Sequence, residues 1–241
     1  RYDGSSRFGK NNRWGMFPSA SAAWRFSDEA FSGSFKPFLS DGKLRVSYGV
    51  KGNESIGDFV GLLLYSPDFI YDNIAGIGVS NLAYDDLSWE ETSQFNLGLD
   101  LSFNNNRIRI VADYYLKHTD RLLNRVEVPK ETGFISIYKN VGAMSNEGFE
   151  FSLGLNVMKK GNFKWDVDFN WATNDSRITK ISDGIPFYKG TDESIYVHEG
   201  GRLGEFHGYK YLGVFAYDQS NAFSENWERL TPVFDDQGAF N

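Results

Sequence analysis

The 241-residue chain contains no cysteine. That excludes a disulfide framework, a thiolate metal site and a cysteine nucleophile. Long apolar runs are missing too. The longest, FVGLLLY at 59–65, falls far short of the roughly 20 residues a membrane helix needs. A helical membrane protein is therefore excluded. A β-barrel is not, because each of its strands crosses with only about 10 alternating residues. Positive charge is in the minority, 25 Lys and Arg against 32 Asp and Glu for a net charge of −7. No basic cluster offsets this, so nucleic acid is excluded as a partner. The opening RYDGSSRFGKNNR has no initiator methionine, charged n-region or apolar h-region, and hence no visible export signal. The expectation is a processed N-terminus or an excerpt of a longer chain.

What is present points to β-structure. Aromatic residues reach 17% (21 Phe, 13 Tyr, 6 Trp), with 25 Gly, a mixture suited to strands and turns. Six segments alternate apolar and polar residues with period two, as a strand with two different faces requires. They are 13–26, 43–51, 95–103, 108–116, 147–157 and 163–173. In the third, Phe95, Leu97, Leu99, Leu101 and Phe103 alternate with Asn96, Gly98, Asp100 and Ser102. In the fourth, Ile108, Ile110, Ala112, Tyr114 and Leu116 are set against Arg109, Asp113 and Lys117. A less regular seventh candidate is 206–217.

The connections alternate in length. NNN (104–106) and KKGN (159–162) are tight turns and 27–42 is of middling length, whereas 52–92, 118–146 and 174–205 are long. An up-and-down antiparallel sheet with one plain and one elaborated edge gives this pattern, as outer-membrane barrels do. Long loops in a compact domain point to binding.

The periodicity alone leaves two readings of the apolar face. In a soluble barrel or sandwich it is the core; in a membrane barrel it meets lipid. Three features favour lipid. The strands run to about 10–12 residues, the length of a tilted crossing. Aromatics sit near the ends of the apolar faces (Trp14, Trp24, Phe26, Phe103, Trp165, Trp171), where membrane interfaces place them. The polar faces carry Ser, Gly and Asn more than Lys and Glu. The soluble alternative is a secreted β-sandwich acting as a carbohydrate-binding module.

Six stretches in series resemble the SusC/RagA type of TonB-dependent outer-membrane transporter. They are DGSSRFGKNNRWGMFPSASAAWRFSDEAF (3–31), KLRVSYGVKGNESIGDF (43–59), LSWEETSQFNLGLDLSF (87–103), YKNVGAMSNEGFEFSLG (138–154), WDVDFNWATNDSRITKI (165–181) and GRLGEFHGYKYLGVF (201–215). The resemblance implies a transmembrane barrel of 22 strands holding an N-terminal plug. It implies import of oligosaccharides or peptides energised through TonB, with a SusD-like surface lipoprotein as lid and dimers of transporter–lid pairs. No TonB box, plug sequence or terminal strand ending in an aromatic residue is found here. The expectation is therefore six to eight strands from the C-terminal half of such a barrel, with outer-membrane lipid outside and no cofactor.

On that reading the lumen receives Asp100, Arg107, Arg109, Asp113, Lys117, Glu150, Asp166, Asp168 and Asn170, with Lys117 and Glu147 near the mouth. The extracellular loops offer Tyr65, Phe69, Tyr71, Tyr84, Phe134, Tyr138, Phe187, Tyr188 and Tyr196. Such rings pack on sugar faces or apolar peptide side chains, although the commoner use of loop aromatics is to pack loop against loop or against a lid. No catalytic set emerges. Asp166, Asp168 and Asn170 lack the glycine and loop geometry of a calcium site. Glu90 and Glu91 read as a solvated strand entrance, and His118, His198 and His207 as isolated residues without metal-ligand spacing. DGSSRFG lacks the context of a nucleophile elbow, and GVKGNESIG that of a phosphate loop.

Overall fold

The six periodic segments form one six-stranded antiparallel sheet. The structure, a computed structural model, describes residues 1–72, 74–190, 192–211, 223–228 and 230, leaving aside the side chains of Asp68, Phe69, Tyr71 and Asp183. The strands are β1 (Tyr2–Gly4), β2 (Trp14–Met16), β3 (Ser19–Trp24), β4 (Leu39–Asn53), β5 (Leu64–Tyr71), β6 (Ile74–Asn81), β7 (Glu90–Phe103), β8 (Ile108–Asp120), β9 (Leu123–Glu127), β10 (Ser136–Asn140), β11 (Ala143–Lys160), β12 (Phe163–Lys180), β13 (Phe187–Lys189) and β14 (Ile195–Val197). The large sheet runs β12-β11-β8-β7-β4-β3, with β1–β2, β5–β6, β9–β10 and β13–β14 as separate two-stranded ribbons. It is all-β and antiparallel, and its edges do not close on each other. No helix among the described residues is long and apolar enough to cross a membrane.

The register aligns the apolar positions into rows. Leu97 pairs with Tyr114, and Tyr114 with Phe149. Leu101 pairs with Ile110, Ile110 with Leu153, and Leu153 with Phe169. On β7, Phe95 to Phe103 spans eight residue steps, about 27 Å along the strand, or roughly 21 Å of height at a 40° tilt. That is close to the roughly 25 Å apolar band of outer-membrane barrels. No second sheet covers this face among the described residues. On strands inside the sheet, Leu97, Tyr114 and Leu116 are 40%, 38% and 41% exposed.

The buried apolar residues lie elsewhere. Phe8, Phe17, Ile56, Leu87 and Trp89 form a core at the long-loop end, with Leu87 0% and Phe8 1% exposed. The Phe8 and Phe17 rings each stand 5.2 Å from the Trp89 ring. The Trp89 indole N–H donates to the Arg13 carbonyl at 3.0 Å.

The turns at the other end follow their residues. Asn104, Asn105 and Asn106 all adopt left-handed φ values of 50, 55 and 65°, a conformation that Asn tolerates better than other side chains.

Several expectations need correction. The segment 13–26 is not one strand: Pro18, which has no N–H to give a ladder, separates β2 from β3. Trp14 thereby leaves the sheet and stacks on Tyr2 with ring centroids 5.0 Å apart. The long loops are not structureless, since each contains a ribbon. The sheet strands also extend into them: β11 and β12 each have 18 residues, against the 10–12 expected. On β11 a register shift between Asn156 and Met158 puts Met158, not Val157, opposite Trp165. Glu147 pairs with Leu116, so it stands on the apolar face's row, above its apolar part, rather than in the lumen-side row. Of the seventh candidate, 206–211 forms no strand beyond a bridge from Phe206 to Ile195; 212–217 lies outside the described residues.

Candidate functional site

The polar face is knit by side chains that reach across strands. Arg45 on β4 makes a two-pronged contact with Asp100 on β7, at 2.9 and 2.8 Å, and reaches Asp113 on β8 at 2.9 Å. Planar guanidinium geometry favours such paired contacts. Gly98, which pairs with both Arg45 and Asp113, clears the path, because a Cβ there would stand 2.6 Å from Arg45 Cζ. The pattern recurs two strands on. Arg109 on β8 lies 3.8 Å from Asp168 on β12, crossing β11 at Gly154, where a Cβ would come within 2.9 Å of its Nη2. Tyr115 makes a third crossing, its hydroxyl donating to Asn174 Oδ1 at 3.0 Å.

The remaining lumen-side candidates have distinct roles. Asp166 pairs with Lys164 at 2.7 Å and accepts from Asn156 at 2.7 Å. Asn170 accepts from Ser152 at 2.8 Å. Lys117 lies over the Tyr115 ring at 4.9 Å. Glu150 faces Asp113 across the β11–β8 pair, is exposed and makes no ion pair with a described residue. With one guanidinium shared by Asp100 and Asp113, this level of the face is net negative. Arg107 departs from the group: it lies in the turn after β7 and donates to the carbonyls of Asn156 and Val157, at 3.4 and 3.0 Å. It ties down the bulge in β11.

The loop aromatics fall into two sets. Tyr84 and Tyr138 pack against the Phe8–Trp89 core, with Lys139 and Arg125 over their rings at 5.6 and 5.7 Å. These two hold loops together. Tyr65 is exposed on β5 and Phe134 is half-buried at the tip of β9–β10. The side chains of Phe69 and Tyr71 lie outside the described part. Phe187, Tyr188 and Tyr196 belong to the β13–β14 ribbon, where Tyr188 and Tyr196 are direct cross-strand partners with centroids 5.1 Å apart. Sequence reasoning missed the two histidines beside them. His207 lies 4.6 Å from Tyr188, and His198 stacks on Tyr196 at 4.8 Å and 28°. The result is a half-exposed ladder of four rings. The i, i+2 spacing of Tyr196 and His198 was the available signal, since it puts both on one side of a strand. Nothing in the sequence brought His207 to them. Asp192 closes the ribbon's tip: hydrogen bonds from the Ser194 hydroxyl and amide hold its carboxyl below the usual carboxylate pKa range. Among the described residues no group of carboxylates and histidines could hold a metal ion.

Comparison with known proteins agrees with this geometry. The family model described as TonB dependent receptor-like, beta-barrel matches residues 1–237. TonB-dependent receptor P39 of Formosa agariphila is 43% identical over 235 residues, covering 98% of this chain and 22% of that protein. TonB-dependent receptor SusC of Bacteroides thetaiotaomicron is 34% identical over 252 residues, covering 98% and 24%. The solved RagAB peptide transporter superposes with a TM-score of 0.82 at 29% identity, over 95% of this chain and 26% of that one. The chain thus spans about a quarter of the length of the relatives it matches. A six-stranded sheet with an uncovered apolar band, polar side chains bridging its other face and elaborated loops at one end is a stretch of barrel wall, and the chain belongs to the TonB-dependent receptor-like β-barrel family.

Proposed function

We propose that this chain forms part of the wall and extracellular mouth of an outer-membrane importer energised through TonB. The observation that carries the reading is the split location of apolar residues. The sheet's apolar rows are uncovered over the height of a bilayer's apolar band, while the packed apolar core sits among the loops. Lipid is the solvent that makes such a sheet stable. The rows of Phe95 to Phe103 and Ile108 to Leu116 then face lipid. Arg45, Asp100, Asp113, Arg109 and Asp168 line the lumen, where a plug supplied by the rest of the protein sits. The Asn104–Asn106 turn lies at the periplasmic rim. Strands beyond this chain complete the barrel.

The substrate is an oligosaccharide or a peptide, and the lid a SusD-like surface lipoprotein, in transporter–lid pairs that dimerise. The ladder of Tyr188, Tyr196, His198 and His207 is the best-formed contact surface for it, because half-exposed rings stack on sugar faces and on apolar side chains alike. The role proposed is transport, in keeping with relatives named as TonB-dependent receptors. A soluble carbohydrate-binding sandwich would need a second sheet over the apolar face, and the described residues supply none.

The test uses the full-length protein in its own outer membrane, with uptake of labelled oligosaccharides and peptides followed before and after collapse of the proton gradient that drives TonB. Energy-dependent uptake of one class, reduced at least ten-fold by Tyr188→Ala with Tyr196→Ala, is expected. Uptake indifferent to both the gradient and the full-length protein would overturn the reading.

A further inference from the structure

A cavity of about 490 Å3 lies between the β9–β10 and β13–β14 ribbons, over the loop-side ends of β11 and β12. Neither the polar face nor the ring ladder uses it. Its walls include Val126, Met144, Ile178, Ile181, Phe187 and Ile195, and Arg125, Lys180 and Lys189 also line it. Among the described residues no acidic one does. Lys180 and Lys189 make no ion pair with any described residue. The Arg125 guanidinium lies over the Tyr138 ring, on the side of β9 that packs on the loop core, and does not count toward the charge of the cavity. Glu199, bonded to the Ile181 amide at 3.1 Å, is not among the lining residues.

Two physical features describe what would fill this space. Apolar walls around a hollow lose dispersion contacts on one side, so an apolar occupant is favoured over water. Two lysines without a carboxylate partner among the described residues favour an anion beside it. An oligosaccharide fits poorly, since its hydroxyls would be stripped of water against aliphatic walls. The volume falls within the roughly 300–1,000 Å3 of small-molecule sites. The source follows from position. Ala143, in the cavity lining, stands six residues beyond Phe149, the last apolar-band residue of β11, or about 20 Å along the strand. Acyl chains anchored in the bilayer do not reach it.

We propose that this cavity is a binding site for a diffusible anionic amphiphile, a medium-length acyl chain ending in a carboxylate. The chain packs among Met144, Ile178 and Ile195, and the carboxylate pairs with Lys180 and Lys189. The diffusible source rests on the lipid-facing reading of the apolar rows; the binding itself does not, and it is tested without measuring uptake. Full-length protein in detergent-free nanodiscs is titrated with decanoate by calorimetry. Saturable binding is expected, at least ten-fold tighter than for decanol, whose head carries no charge. Ile195→Trp, which fills the cavity, should abolish it. Lys180→Gln with Lys189→Gln, a surface change that spares the walls, should weaken it at least ten-fold and keeps the test alive if the tryptophan variant fails to fold. Absence of saturable binding, or binding unchanged in the lysine variant, would overturn the site. Native mass spectrometry showing a bilayer lipid that decanoate cannot displace would overturn the diffusible source.

Discussion

The sheet and its loop end solve opposite problems with the same residue types. Phe8, Phe17, Leu87 and Trp89 are withdrawn from solvent by one another, and their stability comes from packing density and from burial of the Trp89 N–H on a carbonyl. Leu97, Tyr114 and Leu116, on strands inside the sheet, are as apolar yet 40%, 38% and 41% exposed. Their stability depends on the medium. The polar side chains reverse in the same way. On the sheet's polar face they bond to each other across two strands, as Arg45 does to Asp113, where a soluble sheet would leave them to water. An aromatic residue by itself says little; the company its face keeps decides its role.

Substitutions separate the two regions. The largest effect is expected in the loop core. Trp89→Ala should cost about 3–5 kcal/mol locally, as large aromatic truncations in packed cores do, and should expose 52–92 to protease in the full-length protein. Leu116→Ala, at a side chain 41% exposed on a strand inside the sheet, should change the barrel's resistance to heat and protease far less. Next come charges on the two faces. Leu97→Arg should destabilise the barrel in lipid by about 2–4 kcal/mol, the range for a cation near the bilayer midplane, whereas Asn96→Arg should cost under about 1 kcal/mol; denaturant titration in vesicles reads both. Smaller again is the strand-crossing network. Gly98→Ala should push the guanidinium of Arg45 off Asp113. A double-mutant cycle between Arg45→Gln and Asp113→Asn should then give about 1 kcal/mol of coupling in the parent and near zero in the Gly98→Ala background. Least of all, Tyr188→Ala should change stability by less than about 0.5 kcal/mol, while lowering substrate binding.

Most of the sheet was legible because period two is a local property. Every residue of Phe95 to Phe103 declares its face by its neighbours. The same reasoning failed wherever one residue interrupts the count. Pro18 splits the first segment by withholding an amide, and the bulge at Val157 hands the apolar face to Met158. Glu147 shares the apolar face's row with Leu116 because that face turns polar above the apolar band, so polarity no longer tells the two faces apart there. The loop ribbons were invisible for a different reason: β13 and β14 have three residues each, too few to show a period. The ring ladder depends on that ribbon, and His207 joins it through a backbone bond from its amide to the Ser194 carbonyl at 2.8 Å, a contact between segments that no spacing encodes. Arg107 looked like a lumen residue by parity, but a turn residue has no sheet face to obey.

The central claim is that the uncovered apolar rows meet lipid. This chain has no native cysteine; with any cysteine elsewhere in the full-length protein replaced by serine, single cysteines at Leu97 and Asn96, adjacent on β7, report the two faces with one label each. With the full-length protein in bilayers, a fluorophore at position 97 should be quenched by brominated lipid acyl chains and untouched by aqueous iodide, and the label at 96 should escape the brominated lipid. Quenching by lipid at 96 and not at 97, or by iodide at 97, would contradict the account.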